Sequence, residues 1–152
     1  MNIRFLLIIL TLIPLTISFS TEKIILNEGD QILGTWEILD GETHFEVTRD
    51  ENNLYQGKIT WLKEPLNEDG KPKLDTENSD KKLRKRQLLG INFLSNFKYI
   101  GDNRWEKGVL YGFKRGKTLE PKLSLIDSNT MKVEAEIFFF TKTFEWKRVI
   151  TK

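Results

Sequence analysis

Residues 31–40 read QILGTWEILD. Ile32, Gly34, Trp36 and Ile38 fall on one face of an extended chain, because successive side chains in a strand point to opposite sides. The alternation predicts a half-buried strand over 32–39, and Asp40-Gly41 behind it is a strong hairpin signal. A strand that buries a glycine and a tryptophan together has set aside space beside an indole, so the question is what fills it.

The same grammar continues along the chain. Alternating runs at 43–48, 54–62, 91–100, 104–111, 122–126, 130–140 and 143–150 are separated by turn residues such as Asp50-Glu51-Asn52-Asn53, Gly101-Asp102-Asn103 and Asp127-Ser128-Asn129. A Thr141-Lys142 return is expected between the last two. Pro121 cannot donate to a ladder and belongs at a strand start or an edge. Eight short strands with brief connections predict an antiparallel up-and-down meander, and closing it into a barrel removes the exposed edges. In such a closed sheet the first and last strands are neighbours. On the last, Phe144, Trp146, Arg148 and Ile150 share a face. An inward Arg148 is costly unless it is satisfied. Stacking its guanidinium on Trp36 contributes about 0.5–2 kcal/mol, with backbone carbonyls taking its protons and Gly34 leaving the room.

Residues 1–20, MNIRFLLIILTLIPLTISFS, have Arg4 in a thin basic start, an uncharged run over 5–19 and a small-x-small pattern at Ser18 and Ser20. That pattern predicts a cleaved signal peptide. A membrane anchor needs about 20 apolar residues, and Pro14 interrupts this run. The expected product is a single domain over 21–152, monomeric, periplasmic or secreted, with no lipid-anchoring cysteine and no transmembrane segment. The chain has no cysteine at all, which excludes disulfides, a thiolate nucleophile and a Cys zinc site. With 24 Lys and Arg against 22 Asp and Glu, it lacks the basic excess that bulk nucleic-acid binding requires.

One stretch breaks the meander. Residues 64–89, EPLNEDGKPKLDTENSDKKLRKRQLL, are a long excursion between strands 3 and 4. Asn78 or Ser79 can cap a short helix there, with Asp80 in the first turn and basic residues towards its end. Loops of this length are lids, binding loops or disordered segments. The excursion is either a lid that offers Arg84 and Arg86 to an anionic ligand, or a plug in which Leu83, Leu88 and Leu89 enter the barrel.

The pairing of Gly34-x-Trp36 with Arg148, with Trp146 beside it, resembles the closure signature of the calycins, the lipocalins and their relatives. A second resemblance covers nearly all of 21–152. The stretches GTWEILDGE, GKITWLKEPLNEDGKPKLD, NSDKKLRKRQLLGI, RWEKGVLYGFKRGKT and FEWKRV are similar to a bacterial secreted family known as domain of unknown function 2147. The resemblance implies a small exported calycin-like barrel with no assigned activity. The chain departs from that pattern at Gly112-Phe113, where Asp-Pro is expected, and across 134–139, where an Arg-Gly segment is usual.

The fold expected is therefore all-β: one eight-stranded calycin-like barrel with a long excursion carrying a short helix. Its interior is either filled by aromatic side chains or open to one small ligand. Tyr55, Trp61, Trp105, Tyr111 and Phe139 are the inner-face ligand candidates, with Arg84 and Arg86 from the excursion. Phe138 and Phe140 are expected outside, covered or left as a patch. No catalytic motif is present: His44 is the lone histidine and faces outward, and Glu134 and Glu136 read as strand surface. Asp75, Asn78 and Asp80 match no calcium loop. No metal or cofactor is expected. The function expected is non-catalytic binding of a small apolar or amphipathic ligand. The alternative is an envelope interaction module, in which a filled barrel uses the basic excursion and outer aromatics to meet anionic envelope components or a protein partner.

Overall fold

The computed structural model describes residues 27–38 and 41–150; the expected signal peptide lies outside them. Ten strands form one antiparallel sheet: β1 (Gly34–Ile38), β2 (Thr43–Arg49), β3 (Tyr55–Leu62), β4 (Asn92–Gly101), β5 (Arg104–Glu106), β6 (Val109–Gly112), β7 (Lys117–Leu119), β8 (Lys122–Asp127), β9 (Thr130–Ile137) and β10 (Phe140–Arg148). The sheet closes on itself because β3 pairs with β4 and β1 pairs with β10. The barrel has eight staves, because two of them are each made of two strands.

Those two breaks have local causes. β5 and β6 both pair with β4. Between them Lys107 has a φ of 63°, and a Cβ on Gly108 would collide with the Phe97 ring, so the stave bends around that ring. β7 and β8 flank Glu120-Pro121, where the buried Pro121 has no N–H to continue a ladder. β6 pairs with β7 and β5 with β8, so both kinks lie side by side.

The core runs down the barrel axis. Trp36, Trp105, Phe45, Phe97, Ile59, Leu123, Met131 and Val133 are almost wholly buried. A 3-10 turn, Glu28–Ile32, covers one end. A Cβ on its Gly29 would strike the Tyr55 hydroxyl and the Tyr99 ring, so only glycine lets that turn sit so close. The Tyr55 hydroxyl donates to Asp30 at 3.1 Å, and Arg49 pairs with Asp30 at 3.0 Å. Burial first, and Asp30 second, push the Tyr55 pKa up to about 12.

The barrel is fastened where its first and last strands meet. Trp36 and Arg148 are directly opposite in the β1–β10 register. The Arg148 guanidinium lies 4.2 Å from the centre of the Trp36 ring. It donates to the carbonyls of Ser128, Leu33 and Gln31, each at 2.6 Å. Gly34 has a φ of +116°, and a Cβ there would come within 2.9 Å of Arg148 Nη1. The Trp36 indole donates to Ile32 O at 2.8 Å, which ties the 3-10 turn to the strand it precedes.

Three sequence expectations need correction. The excursion over 64–89 holds no helix: Asp80 to Arg86 winds in i→i+3 turns, and Leu74–Gln87 and Leu66–Pro72 are bridged instead. Asn78 still accepts from the Asp80 N–H, but its amide is held by Asp75, so it ends a turn instead of starting a helix. The last hairpin turns at Phe138-Phe139, with Phe140 opposite Ile137, and not at Thr141-Lys142. In β3, Thr60 is an extra residue: Phe45 faces Ile59 while His44 faces Trp61. A bulge of this kind reverses the alternation, so Leu62 turns inward and Trp61 outward.

Candidate functional site

The end of the barrel away from the 3-10 turn is hollow. A cleft of about 610 Å³ opens there. Each stave that runs past it changes character along its length. β1 goes from Trp36 in the packed half to Ile38 at the cleft, and β9 from Met131 to Val133 and Ala135. β10 goes from Arg148 to Trp146 and Phe144. Phe93 on β4, with Leu110, Tyr111 and Phe113 from β6 and the turn after it, completes the apolar wall. Phe45 packs edge-on to Phe93 and Trp146, with ring centres 4.8 and 5.0 Å apart, and forms part of the support beneath.

Charge is confined to the rim. Lys114, Arg115, Lys117 and Lys142 border the cleft, and Glu136 is the one carboxylate among its lining residues. Lys114 also reaches Glu42 at 3.3 Å, and the Lys142 ammonium sits 5.0 Å from the centre of the Phe144 ring. An apolar wall with a mostly cationic edge suits a ligand with an apolar body and a polar or anionic end.

Tyr111 faces two ways. Its side chain borders the cleft, and its hydroxyl donates to Asp75 at 2.6 Å. Asp75 is 1% exposed, yet its carboxylate is well satisfied. Arg86 reaches it from Nε and Nη2, both at 2.9 Å, and the Asn78 amide donates at 2.7 Å. The Arg86 guanidinium also lies 5.4 Å from the Tyr111 ring centre. Burial first, and the Asp75 carboxylate second, push the Tyr111 pKa up to about 12. The cluster therefore works as a clasp that fixes the excursion to the barrel rim. Beside it, a Cβ on Gly116 (φ +63°) would collide with the Glu77 carbonyl, so this glycine lets the excursion press against the β6–β7 turn.

The excursion lies beside the mouth and contributes no residue to the wall of the large cleft. Leu88 packs against the core, but Leu83 and Leu89 are exposed, so the excursion is not the leucine plug that its sequence suggests. A smaller crevice of about 210 Å³ separates it from β2 and β3.

Of the ligand candidates singled out in the sequence, Tyr111 lines the cleft, as does Trp146 from the closure set. Tyr55 and Trp105 lie in the packed half, their rings 6.1 Å apart. Trp61 is 42% exposed on the outer wall, stacked 4.3 Å from His44, which meets Glu37 at 3.1 Å. Phe139 is fully exposed at the hairpin tip. Arg86 is committed to Asp75, and Arg84 Nε donates to Asn78 O at 2.6 Å. Sequence reasoning missed Phe93, Leu110 and Phe113 as wall residues. Phe93 was discoverable, since it sits in phase with Phe97 on the fourth run. Leu110 was not, because the Gly108 break resets the alternation, and Phe113 lies in the turn beyond the run.

Among the described residues no cluster of His, Cys, Asp and Glu is arranged to hold a metal, and no helix is long and apolar enough to cross a membrane. Among solved structures, the chain is similar to protein HP1028 from Helicobacter pylori, which is described as belonging to the lipocalin family. The match has a TM-score of 0.64 and 24% identity, covers 78% of this chain and 83% of that one, and shows a shared fold. Comparison with curated proteins finds none that matches. The family described as "uncharacterized protein conserved in bacteria (DUF2147)" matches residues 34–148, and the chain belongs to that family.

Proposed function

We propose that the protein binds a small apolar or amphipathic molecule in the open half of its barrel and performs no chemistry on it. The observation that carries this reading is the cleft of about 610 Å³, walled by Ile38, Phe93, Leu110, Phe113, Ala135 and Trp146. That volume lies within the range of about 300–1,000 Å³ usual for small-molecule pockets. The ligand's apolar body would lie against this wall, with any polar end at Lys117 or Lys142. Tyr111 is placed to contact it from the side, but its hydroxyl is already given to Asp75. The lipocalin-like fold supports a binding role in general terms. The alternative of a filled barrel acting only through its outer surface is less well supported, because a cleft of this volume opens between the staves.

The test is native mass spectrometry of protein purified from its own cells, together with titration by the fluorophore anilinonaphthalene sulfonate. The expected result is a retained ligand mass or saturable probe binding. Ala135→Trp, which places an indole in the cleft, should weaken the probe by about tenfold or more. A protein that carries no ligand and binds no probe would refute the carrier reading, and so would equal probe binding by the variant.

A further inference from the structure

At the mouth of the cleft the β9–β10 hairpin turns through Phe138 and Phe139, which are 92% and 102% exposed, and Phe140 follows at 62%. Phe139 stands fully clear of the protein at the turn, Phe138 projects beside it at the edge of the cleft, and Phe140 is more than half exposed. The backbone gains nothing from them. Phe138 has a φ of 56°, a conformation that asparagine or glycine adopts with less strain, and two-residue hairpin loops favour those residues. The described fold leaves these rings largely uncovered.

The surroundings indicate what that is. Lys142 stands two residues beyond Phe140 on the same hairpin, and Arg115 and Lys117 lie across the mouth with Lys114. Glu136, opposite Thr141 in the β9–β10 register, and Glu42, which pairs with Lys114 at 3.3 Å, are the acidic exceptions. Aromatic side chains projecting from a cationic ring match the boundary of an anionic bilayer, where rings enter the headgroup–acyl region and ammonium and guanidinium groups meet phosphates. We propose that the Phe138–Phe140 tip docks on an anionic lipid leaflet, and that this seats the mouth of the cleft at the membrane surface. The docking follows from the tip and the cations beside it; its use in passing an amphiphile between bilayer and cleft rests on the carrier reading above.

The test is flotation of the protein, purified as its cells make it, with vesicles of phosphatidylglycerol and phosphatidylethanolamine, and separately with phosphatidylcholine vesicles. The anionic vesicles should carry the protein up and the neutral ones much less. Phe139→Ser combined with Phe140→Ser should lower that binding by at least about tenfold, since each lost ring removes a large apolar contact. Leucine at both positions should keep most of it. Lys142→Glu should weaken binding to anionic vesicles and leave neutral ones unaffected. Wild-type protein that ignores anionic vesicles, or a double-serine variant that floats as well as wild type, would overturn the proposal. Retention on envelope membranes that protease treatment abolishes, without binding to pure lipid, would also overturn it and assign the tip to a protein partner. Probe binding to the cleft without lipid is read separately, so docking and carriage can fail independently.

Discussion

Replacing Arg148 by methionine removes the fastening of the barrel while keeping most of the aliphatic packing. The guanidinium makes three hydrogen bonds to backbone carbonyls and one stacking contact. A hydrogen bond to a charged group contributes about 1.5–3 kcal/mol when sheltered, and less near solvent. Leu33 O is partly buried, whereas the bonds to Ser128 O and Gln31 O lie at the surface and deserve discounting. Adding a stacking contribution of about 0.5–1 kcal/mol and allowing for the relieved burial of the charge, the loss should be about 3 kcal/mol. With a urea dependence of about 1.5–2 kcal/mol per molar, the unfolding midpoint should fall by about 1.5–2 M. Arg148→Lys keeps a charge but not the fork, and should lose about half as much. The assay is equilibrium urea denaturation followed by tryptophan fluorescence. Gly34→Ala should also be destabilising, through both its positive φ and the approach to Arg148. Its cost should shrink by about 1 kcal/mol in the Arg148→Met background, where the steric part is relieved. A midpoint shift below about 0.5 M for Arg148→Met, or strict additivity of the two changes, would refute the idea that this stack holds the ends together.

Other consequences are more local. Asp75→Asn leaves Arg86 without its counter-charge, so trypsin should cut the excursion after Lys81, Lys82, Arg84 or Lys85 much faster while barrel fluorescence stays unchanged. In the same variant the Tyr111 pKa should fall back from about 12 towards its ordinary value, read by ultraviolet titration of the phenolate. Tyr55 and Tyr111 both hold their protons in the folded state above the unfolded value, so the stability they contribute is present below about pH 10 and lost as the pH rises towards 12. Urea midpoints should be flat between pH 7 and about 9.5 and then decline steeply; an unchanged midpoint at pH 11 would contradict that assignment. Trp61→Ala, on the outer wall, should leave anilinonaphthalene sulfonate affinity within about twofold, whereas a large loss would mean the cleft extends to β3.

The architecture was legible because its signals are short-range and periodic. Alternation marked the staves, turn residues separated them, and Gly34, Trp36 and Arg148 are matched in chemistry at opposite ends of the chain. What escaped was every place where the alternation is reset. Thr60 adds one residue and carries Trp61 to the outside; Gly108 yields to the Phe97 ring and shifts Leu110. Phe138 takes a left-handed turn that no propensity favours, and so moves Phe139 from an expected inner face to the tip. These events depend on contacts with residues far along the sequence, which a local pattern does not encode. The clasp was hidden for the same reason: Asn78 reads as the cap of a helix ending in Arg86, and Asp75 as an isolated carboxylate, until Tyr111, from a distant stave, takes a share of that carboxylate. The wall of the cleft was thus only partly readable, even though the barrel was.

Every stave that passes the cleft is solid towards the 3-10 turn and hollow towards the hairpin tip. Cohesion and open space therefore occupy opposite ends of one cylinder. Residues at the hollow end can change size or polarity without disturbing the indole and guanidinium that bind the two chain ends at the other. A scaffold divided in this way can be re-lined at one end while its seam stays shut.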